Sequence, residues 1–192
     1  MGLTSEQVHW IVGCVIVALS LLLVLYEVGV LRASWLRYLL GGAVLALGLQ
    51  ALLDPLLLGA AGPKGYAAET AQHVVQGVIL VALGGLELLR AMAMLQRRIW
   101  GFFLPAGIAG VGVLFLLHAQ HESSAPAILL LTQHRVTGAT LCLAAAAKAL
   151  AETGHTKARP FATGWLLLLF ATGIQFLIYT EGGVSGAHAS HG

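Results

Sequence analysis

Six apolar stretches of about 20 residues each dominate this 192-residue chain. A helix of that length crosses the ~30 Å hydrocarbon core of a lipid bilayer. Charged residues make up only 9% of the chain and the mean hydropathy is +0.88, whereas a soluble domain carries roughly 25% charged residues. The composition therefore excludes a soluble protein and leaves a helical membrane domain as the fold class.

The sequence predicts an all-α integral membrane protein, a bundle of six transmembrane helices. The predicted membrane domain covers residues 1–181, and residues 182–192 form a short tail that contains two histidines. The first apolar stretch follows a helix cap, Thr4-Ser5-Glu6-Gln7, rather than a basic segment, so we interpret it as a retained helix and not as a signal peptide. The predicted spans cover about residues 8–31, 36–58, 70–97, 100–119, 126–151 and 161–180.

The basic residues predict how the helices are oriented. If the spans alternate in direction, eight of the ten Lys and Arg residues fall on one side of the membrane. The positive-inside rule makes that side cytoplasmic, so both termini are expected on the extracytoplasmic side. If the protein is bacterial, its membrane is the inner membrane. Topology accounts for the basic residues, so the net charge of +2 gives no indication of nucleic acid binding.

Seven of the eight histidines fall on the predicted extracytoplasmic side. Histidines that merely tolerate the membrane interface would be divided more evenly between the two sides. Ionisable residues at membrane depth are costly and usually functional, and neutral imidazole binds copper and zinc. The sequence therefore predicts a transition-metal site at this face, although hydrogen-bonded joints between helices are the alternative. The predicted ligands are His73, His118, His121 and His134, with Asp54 and Glu181 as additional candidates.

Two of these histidines lie in a repeated pattern. The segments 72–80 and 133–141 share the form Q-H-x-V-x-G-x-x-L. Both begin spans that run in the same direction, so the pattern predicts a parallel repeat, unless the short match is a coincidence in an apolar chain. Adjacent helical residues point about 100° apart, so Gln72 and Gln133 are expected outside the metal site.

Other residues are predicted to act in packing. Cys14 and Cys142 lie inside apolar helices and are expected as packing residues, not as a disulfide. Glu87 and Lys148 either pair with each other near the cytoplasmic side or reach the headgroups independently. Small residues let membrane helices approach closely, and the glycines expected to do so are Gly84, Gly85, Gly107, Gly110 and Gly112.

The chain resembles the transmembrane protein 45 family in three places: Gln72-His73, the segment 116–121 and His134. In that family, a helix that begins with Gln-His is followed by a helix that ends in a histidine pair, and a further histidine begins the next helix. The resemblance covers residues 70–151 and implies a multi-pass membrane protein without a defined biochemical activity. This chain departs from the family in the segment before the histidine pair, residues 113–117, which is aromatic-rich in the family and mainly aliphatic here. The chain is also similar to D-type copper-resistance membrane proteins, which carry histidines near the outer surface of a small bundle.

Metal homeostasis or translocation is the function that the sequence favours, with copper slightly ahead of zinc because the outer face is oxidising. A methionine-lined copper(I) pathway is excluded, because Met92 and Met94 fall on the opposite side. Three alternatives stay open: a cytochrome with b-type haem between His73 and His134, a zinc-dependent intramembrane hydrolase and a structural subunit. The sequence leaves open whether the protein is an enzyme. It also leaves open whether the chain forms homo-oligomers or packs against partner subunits in the lipid bilayer.

Overall fold

The computed structural model describes the backbone of residues 4–57, 66–117, 125–155 and 159–180, and the side chains of residues 4–53, 71–117, 127–155 and 160–180. Within these ranges every regular element is helical, and each of six helical segments is long and apolar enough to cross a membrane. The predicted class, a helical multi-pass membrane protein with six spans, is confirmed at that level. The helices are α1 (Ser5–Glu27), α2 (Leu36–Leu57), α3 (Tyr66–Ala91), α4 (Phe103–Leu116), α5 (Ala125–Glu152) and α6 (Arg159–Leu177), and a 3₁₀ turn (Arg98–Phe102) precedes α4.

The start of α1 follows the sequence prediction closely. The Thr4 hydroxyl accepts a hydrogen bond from the Gln7 amide at 3.2 Å, and the Gln7 side chain accepts one from the Thr4 amide at 3.0 Å. This reciprocal pair is a capping box, which satisfies two amides that have no partner within the helix.

Two helices end earlier than their apolar stretches do. The spans were predicted to reach residues 31 and 97, whereas α1 ends at Glu27 and α3 at Ala91. Gly29 (φ +80°) follows α1, Ala93 (φ 60°) follows α3, and both are left-handed. In each case the next amide donates to a carbonyl five residues back, Val30 to Leu25 and Met94 to Leu89, which is the closing bond of a Schellman motif.

The most extensive helix contacts are those of α2 with α3, α4 with α5, and α1 with α6, and α5 also packs against α6. Glycines allow each close approach. A methyl carbon on Gly84 of α3, for example, would lie 2.6 Å from the Leu45 Cα of α2. Gly85 and Gly110, which were also expected at such contacts, face open space. Cys14 and Cys142 are free thiols; Cys142 packs close to Gly112 of α4, whereas Cys14 is exposed and not packed as predicted.

One end of the bundle, which we call the basic end, carries Arg90, Arg98 and Lys148. Arg90 Nη1 lies 2.7 Å from Glu87 Oε1, and Lys148 Nζ lies 2.6 Å from Glu152 Oε1. Arg90 Nη2 also reaches Glu152 Oε2 at 3.5 Å and so connects the two pairs. Glu87 and Lys148 therefore belong to one network through intermediate partners, which is neither of the two predicted arrangements. The network holds α3 against α5.

Candidate functional site

Three histidines from three different helices line one cavity at the opposite end of the bundle. They are His9 of α1, His73 of α3 and His134 of α5, and we call this end the histidine end. The cavity, named here the histidine cavity, has a volume of about 150 Å³ and is lined by residues of all six helices. Two of the three, His73 and His134, are predicted ligands, and the structure places both at this cavity. His9 was not among the predicted ligands.

A single sequence pattern places the three imidazoles. Each histidine is followed four residues later by a glycine, and residues four apart lie on nearly the same side of a helix. Each glycine meets the helix paired with its own. A methyl carbon added to Gly13 would lie 2.9 Å from the Gly173 carbonyl oxygen. At Gly77 the same carbon would lie 3.0 Å from the Gly48 oxygen, and at Gly138 it would lie 2.6 Å from the Gly112 oxygen.

In each of three helix pairs, a glycine one turn beyond a histidine meets the backbone of the partner helix. The pattern His-x-x-x-Gly also occurs at the start of α1, as His9 and Gly13, without the preceding glutamine. This shorter pattern is the sequence signal that identifies His9. The pattern becomes informative only with the packing of Gly13 against Gly173 of α6, which the sequence does not show.

The glutamines that precede His73 and His134 tie each helix to the end of the next one. Gln72 Nε2 donates to the Leu114 carbonyl of α4 at 2.7 Å. Gln133 Nε2 donates to the Thr180 carbonyl after α6 at 3.0 Å and accepts from the Thr180 amide at 3.2 Å. Both amides are engaged with backbone, and Gln72 also lines the histidine cavity.

Hydrogen bonds fix the ring orientation of two of the histidines in the same way. His9 Nδ1 lies 2.7 Å from the Ser5 carbonyl, and His134 Nδ1 lies 2.7 Å from the Leu130 carbonyl, four residues earlier in each helix. A carbonyl oxygen can only accept a hydrogen bond, so Nδ1 carries the proton in both rings. The Nε2 atom then carries the lone pair, and this is the tautomer that binds a metal ion through Nε2.

Aromatic rings pack around the same two imidazoles. Tyr179, which is only 8% exposed, stacks on His9 with a centroid distance of 3.8 Å and meets His134 edge-on at 6.0 Å. Phe115 stacks on His134 at 5.5 Å. Trp10 Nε1 donates to the Tyr179 carbonyl at 3.0 Å and so holds the segment after α6 in place. These contacts restrict the rings to a narrow range of orientations.

Several predicted ligands lie outside the described residues. They are His118, His121 and Glu181, together with the side chain of Asp54, whose backbone belongs to α2. Among the side chains that the structure describes, no three His, Cys, Asp or Glu residues approach closely enough to bind one ion. His9, His73 and His134 thus share a cavity without forming a preassembled coordination site.

The comparisons with known proteins leave the family of this chain open. The sequence matches no protein-family model and no curated protein, and the structure matches no solved structure. The likeness to the transmembrane protein 45 family and to D-type copper-resistance proteins therefore stays an expectation from the sequence. The function has to be inferred from the histidine end itself.

Proposed function

We propose that this protein binds a copper or zinc ion at the histidine end of the bundle. The observation that carries the proposal is that His9, His73 and His134, from three separate helices, line one cavity. Imidazole is a ligand of both metals. Ionisable side chains inside a membrane domain are seldom kept unless they have a function.

The hydrogen bonds of the imidazoles support the same proposal. Metal-bound histidines usually donate their second ring N–H to a carbonyl or carboxylate, which fixes the tautomer and orients the lone pair. His9 and His134 make this bond to backbone carbonyls of their own helices. In both rings the lone pair is therefore on Nε2, the atom that binds a metal ion.

The proposed coordination shell includes ligands beyond the described side chains. A catalytic or transfer site for zinc has three protein ligands and an open position, whereas a structural site has four. We propose that His73 and His134 are joined by His118 and His121, which follow α4 directly in the sequence, and that Asp54 and Glu181 supply oxygen ligands or second-sphere acceptors. His9 is an additional imidazole at the same cavity.

The cavity wall favours binding at the membrane face over passage through the bundle. Below the histidines, no Cys, Met, Asp or Glu is found among the described residues that line the cavity. A transition-metal ion crossing the bundle would therefore meet no further ligand of these types. By the positive-inside rule the histidine end faces away from the cytoplasm. Capture, storage or delivery of the ion at the extracytoplasmic face of a cell membrane is the role that this arrangement supports best.

An ion also suits the site better than haem does. An apolar cavity of about 150 Å³ accommodates a molecule of roughly the size of benzene. The histidine cavity has about that volume, and a porphyrin with four pyrrole rings needs considerably more space.

Metal analysis of the protein purified without a polyhistidine tag tests the proposal. We expect about one copper or zinc ion per chain after loading and dialysis, and a loss of affinity of at least about tenfold in His134→Ala or His73→Ala. His155→Ala is the matched control, because His155 is exposed beyond α5 at the basic end. Absence of stoichiometric metal in the wild-type protein, or equal affinity in all variants, would contradict the proposal.

A further inference from the structure

One carboxamide in the wall of the histidine cavity lacks a hydrogen-bond partner among the described residues. Gln76 of α3 is half-buried and lines the cavity, and its side chain makes no hydrogen bond to any residue that the structure describes. By contrast, Gln72 and Gln133 each donate to a backbone carbonyl, at 2.7 and 3.0 Å. A polar group inside a protein is stabilised by a partner, and here the partner has to come from a molecule in the cavity.

Gln76 lies where the wall of the cavity changes from polar to apolar. It follows His73 by three residues, which places it about 4.5 Å deeper along α3 on the same face of the helix. The next residues of α3 in the wall are Leu80 and Leu83. Leu104, which is 1% exposed, also lines the deep part. A molecule in this position therefore meets the carboxamide at one end and an apolar wall at the other.

The charge and the volume of the cavity limit which molecule it can hold. The described wall contains no Lys, Arg, Asp or Glu, so a charged organic molecule would find no opposite charge there. The volume of about 150 Å³ is close to that of an apolar cavity that binds benzene. The occupant is therefore uncharged and about as large as a benzene ring with a small substituent.

Aromatic side chains favour a ring as the apolar part of this molecule. Phe115 and Phe176 both line the cavity, and their rings meet edge-on with a centroid distance of 5.9 Å. Leu80, one turn below Gln76, packs against the same cluster as Phe115. Aromatic rings gain additional free energy from edge-on or offset contacts with one another.

We propose that the histidine cavity binds a small phenol. The hydroxyl pairs with the Gln76 carboxamide, and the ring lies against Leu80 and Leu83. A hydroxyl group both donates and accepts hydrogen bonds, so it can pair with either the oxygen or the nitrogen of the carboxamide. The site lies on the interior side of the imidazoles and does not depend on the proposed metal ion.

Two probes of nearly equal shape test the proposed hydrogen bond. In para-fluorophenol the ring carries the hydroxyl, whereas para-fluorotoluene has a methyl group in its place. Each probe is titrated into the full chain in detergent with a chelator present, and binding is followed by fluorine NMR. Micelles without protein give the background from partition into detergent. We expect saturable binding of para-fluorophenol to the wild-type protein.

Gln76→Leu removes the carboxamide and keeps a side chain of similar size. It should weaken the binding of para-fluorophenol about five- to tenfold, the value of one hydrogen bond, without weakening that of para-fluorotoluene. Gln96→Leu is the matched control and should change neither affinity. Gln96 lies in the exposed segment after α3, outside the described cavity wall, and donates to the Ala93 carbonyl at 3.1 Å.

Substitutions that fill the cavity test its place in the bundle. Val12→Phe and Val44→Phe extend into it from two different helices and should abolish the binding of both probes. Val15→Phe, also on α1 but 37% exposed and outside the cavity lining, should preserve it. Thermal stability shows whether each variant is folded. If neither filled variant folds, the comparison of the two probes in Gln76→Leu decides alone.

Three results would overturn this proposal. The first is an absence of saturable para-fluorophenol binding in the wild-type protein. The second is binding that survives in a folded Val12→Phe or Val44→Phe protein. The third is a Gln76→Leu protein in which both probes, or neither, bind more weakly. Because a chelator is present throughout, failure here leaves the metal proposal unaffected, and failure of the metal proposal leaves this one unaffected.

Discussion

Gly138 offers the clearest test of how the helix pairs position the histidines. In Gly138→Ala the new methyl carbon would lie 2.6 Å from the Gly112 carbonyl oxygen, whereas ordinary contact begins at 3.4 Å. The α4 and α5 helices must therefore separate locally by about 0.8 Å. Overpacking of this kind costs about 1–3 kcal/mol. His134 lies one turn away on the same helix, so the displacement also reaches the histidine cavity.

Gly110→Ala is the matched control, because a methyl carbon at Gly110 meets nothing within 4 Å. Both substitutions gain the same intrinsic helix preference of Ala over Gly, about 1 kcal/mol, so this contribution cancels in the comparison. We expect Gly138→Ala to be less stable than Gly110→Ala by about 2 kcal/mol, which corresponds to roughly 4–8 °C in Tm for a chain of this size.

Thermal unfolding in detergent, followed by circular dichroism, measures the difference between the two variants. Metal titration of the same samples should show weaker binding only in Gly138→Ala. Equal Tm values for the two variants would refute the claim that α4 and α5 touch at Gly112 and Gly138. Equal metal affinity despite a lowered Tm would refute the link between this contact and His134.

Three further predictions concern stability. Ala93→Gly relieves a left-handed residue and should raise the free energy of unfolding by about 0.5–1 kcal/mol, measured by thermal unfolding against the wild-type protein. Glu152→Ala removes the carboxylate that Lys148 and Arg90 share. Because Glu152 is only 16% exposed, this loss should lower the free energy of unfolding by about 1–3 kcal/mol. Glu27→Ala, at an exposed position, should lower it by less than about 0.5 kcal/mol, and equal losses in the two variants would contradict the network. Saturation with zinc at about 100 times its Kd should stabilise the protein by about 2.7 kcal/mol, an increase that a chelator reverses and that a non-binding protein would not show.

Hydrophobicity alone was enough to predict the six spans. The apolar stretches are long enough to cross a bilayer, and within a bilayer only helices and closed β-barrels satisfy the backbone hydrogen bonds. The same signal failed at the ends of α1 and α3, because the apolar residues continue past Glu27 and Ala91 while the backbone turns at Gly29 and Ala93. Helix ends are set by local backbone geometry, which hydropathy does not report.

The candidate site was predicted in part. His73 and His134 were identified from their place near the start of their spans, and they do line the same cavity. His9 was not predicted as a ligand. The glycine four residues after it, Gly13, marks the contact between α1 and α6, and the sequence alone does not show that these two helices pack together. The histidine cavity itself depends on contacts between helices distant in sequence, which spacing along one helix cannot reveal.

X-ray absorption spectroscopy at the copper or zinc edge of the loaded protein tests the central claim most directly. For zinc, the account predicts at least three imidazole nitrogens at about 2.0–2.1 Å, with the multiple-scattering pattern typical of histidine rings. The spectrum of His134→Ala should show one imidazole fewer. A wild-type spectrum with only oxygen neighbours, as in a hydrated ion bound at the surface, would contradict a metal site built from imidazoles of separate helices.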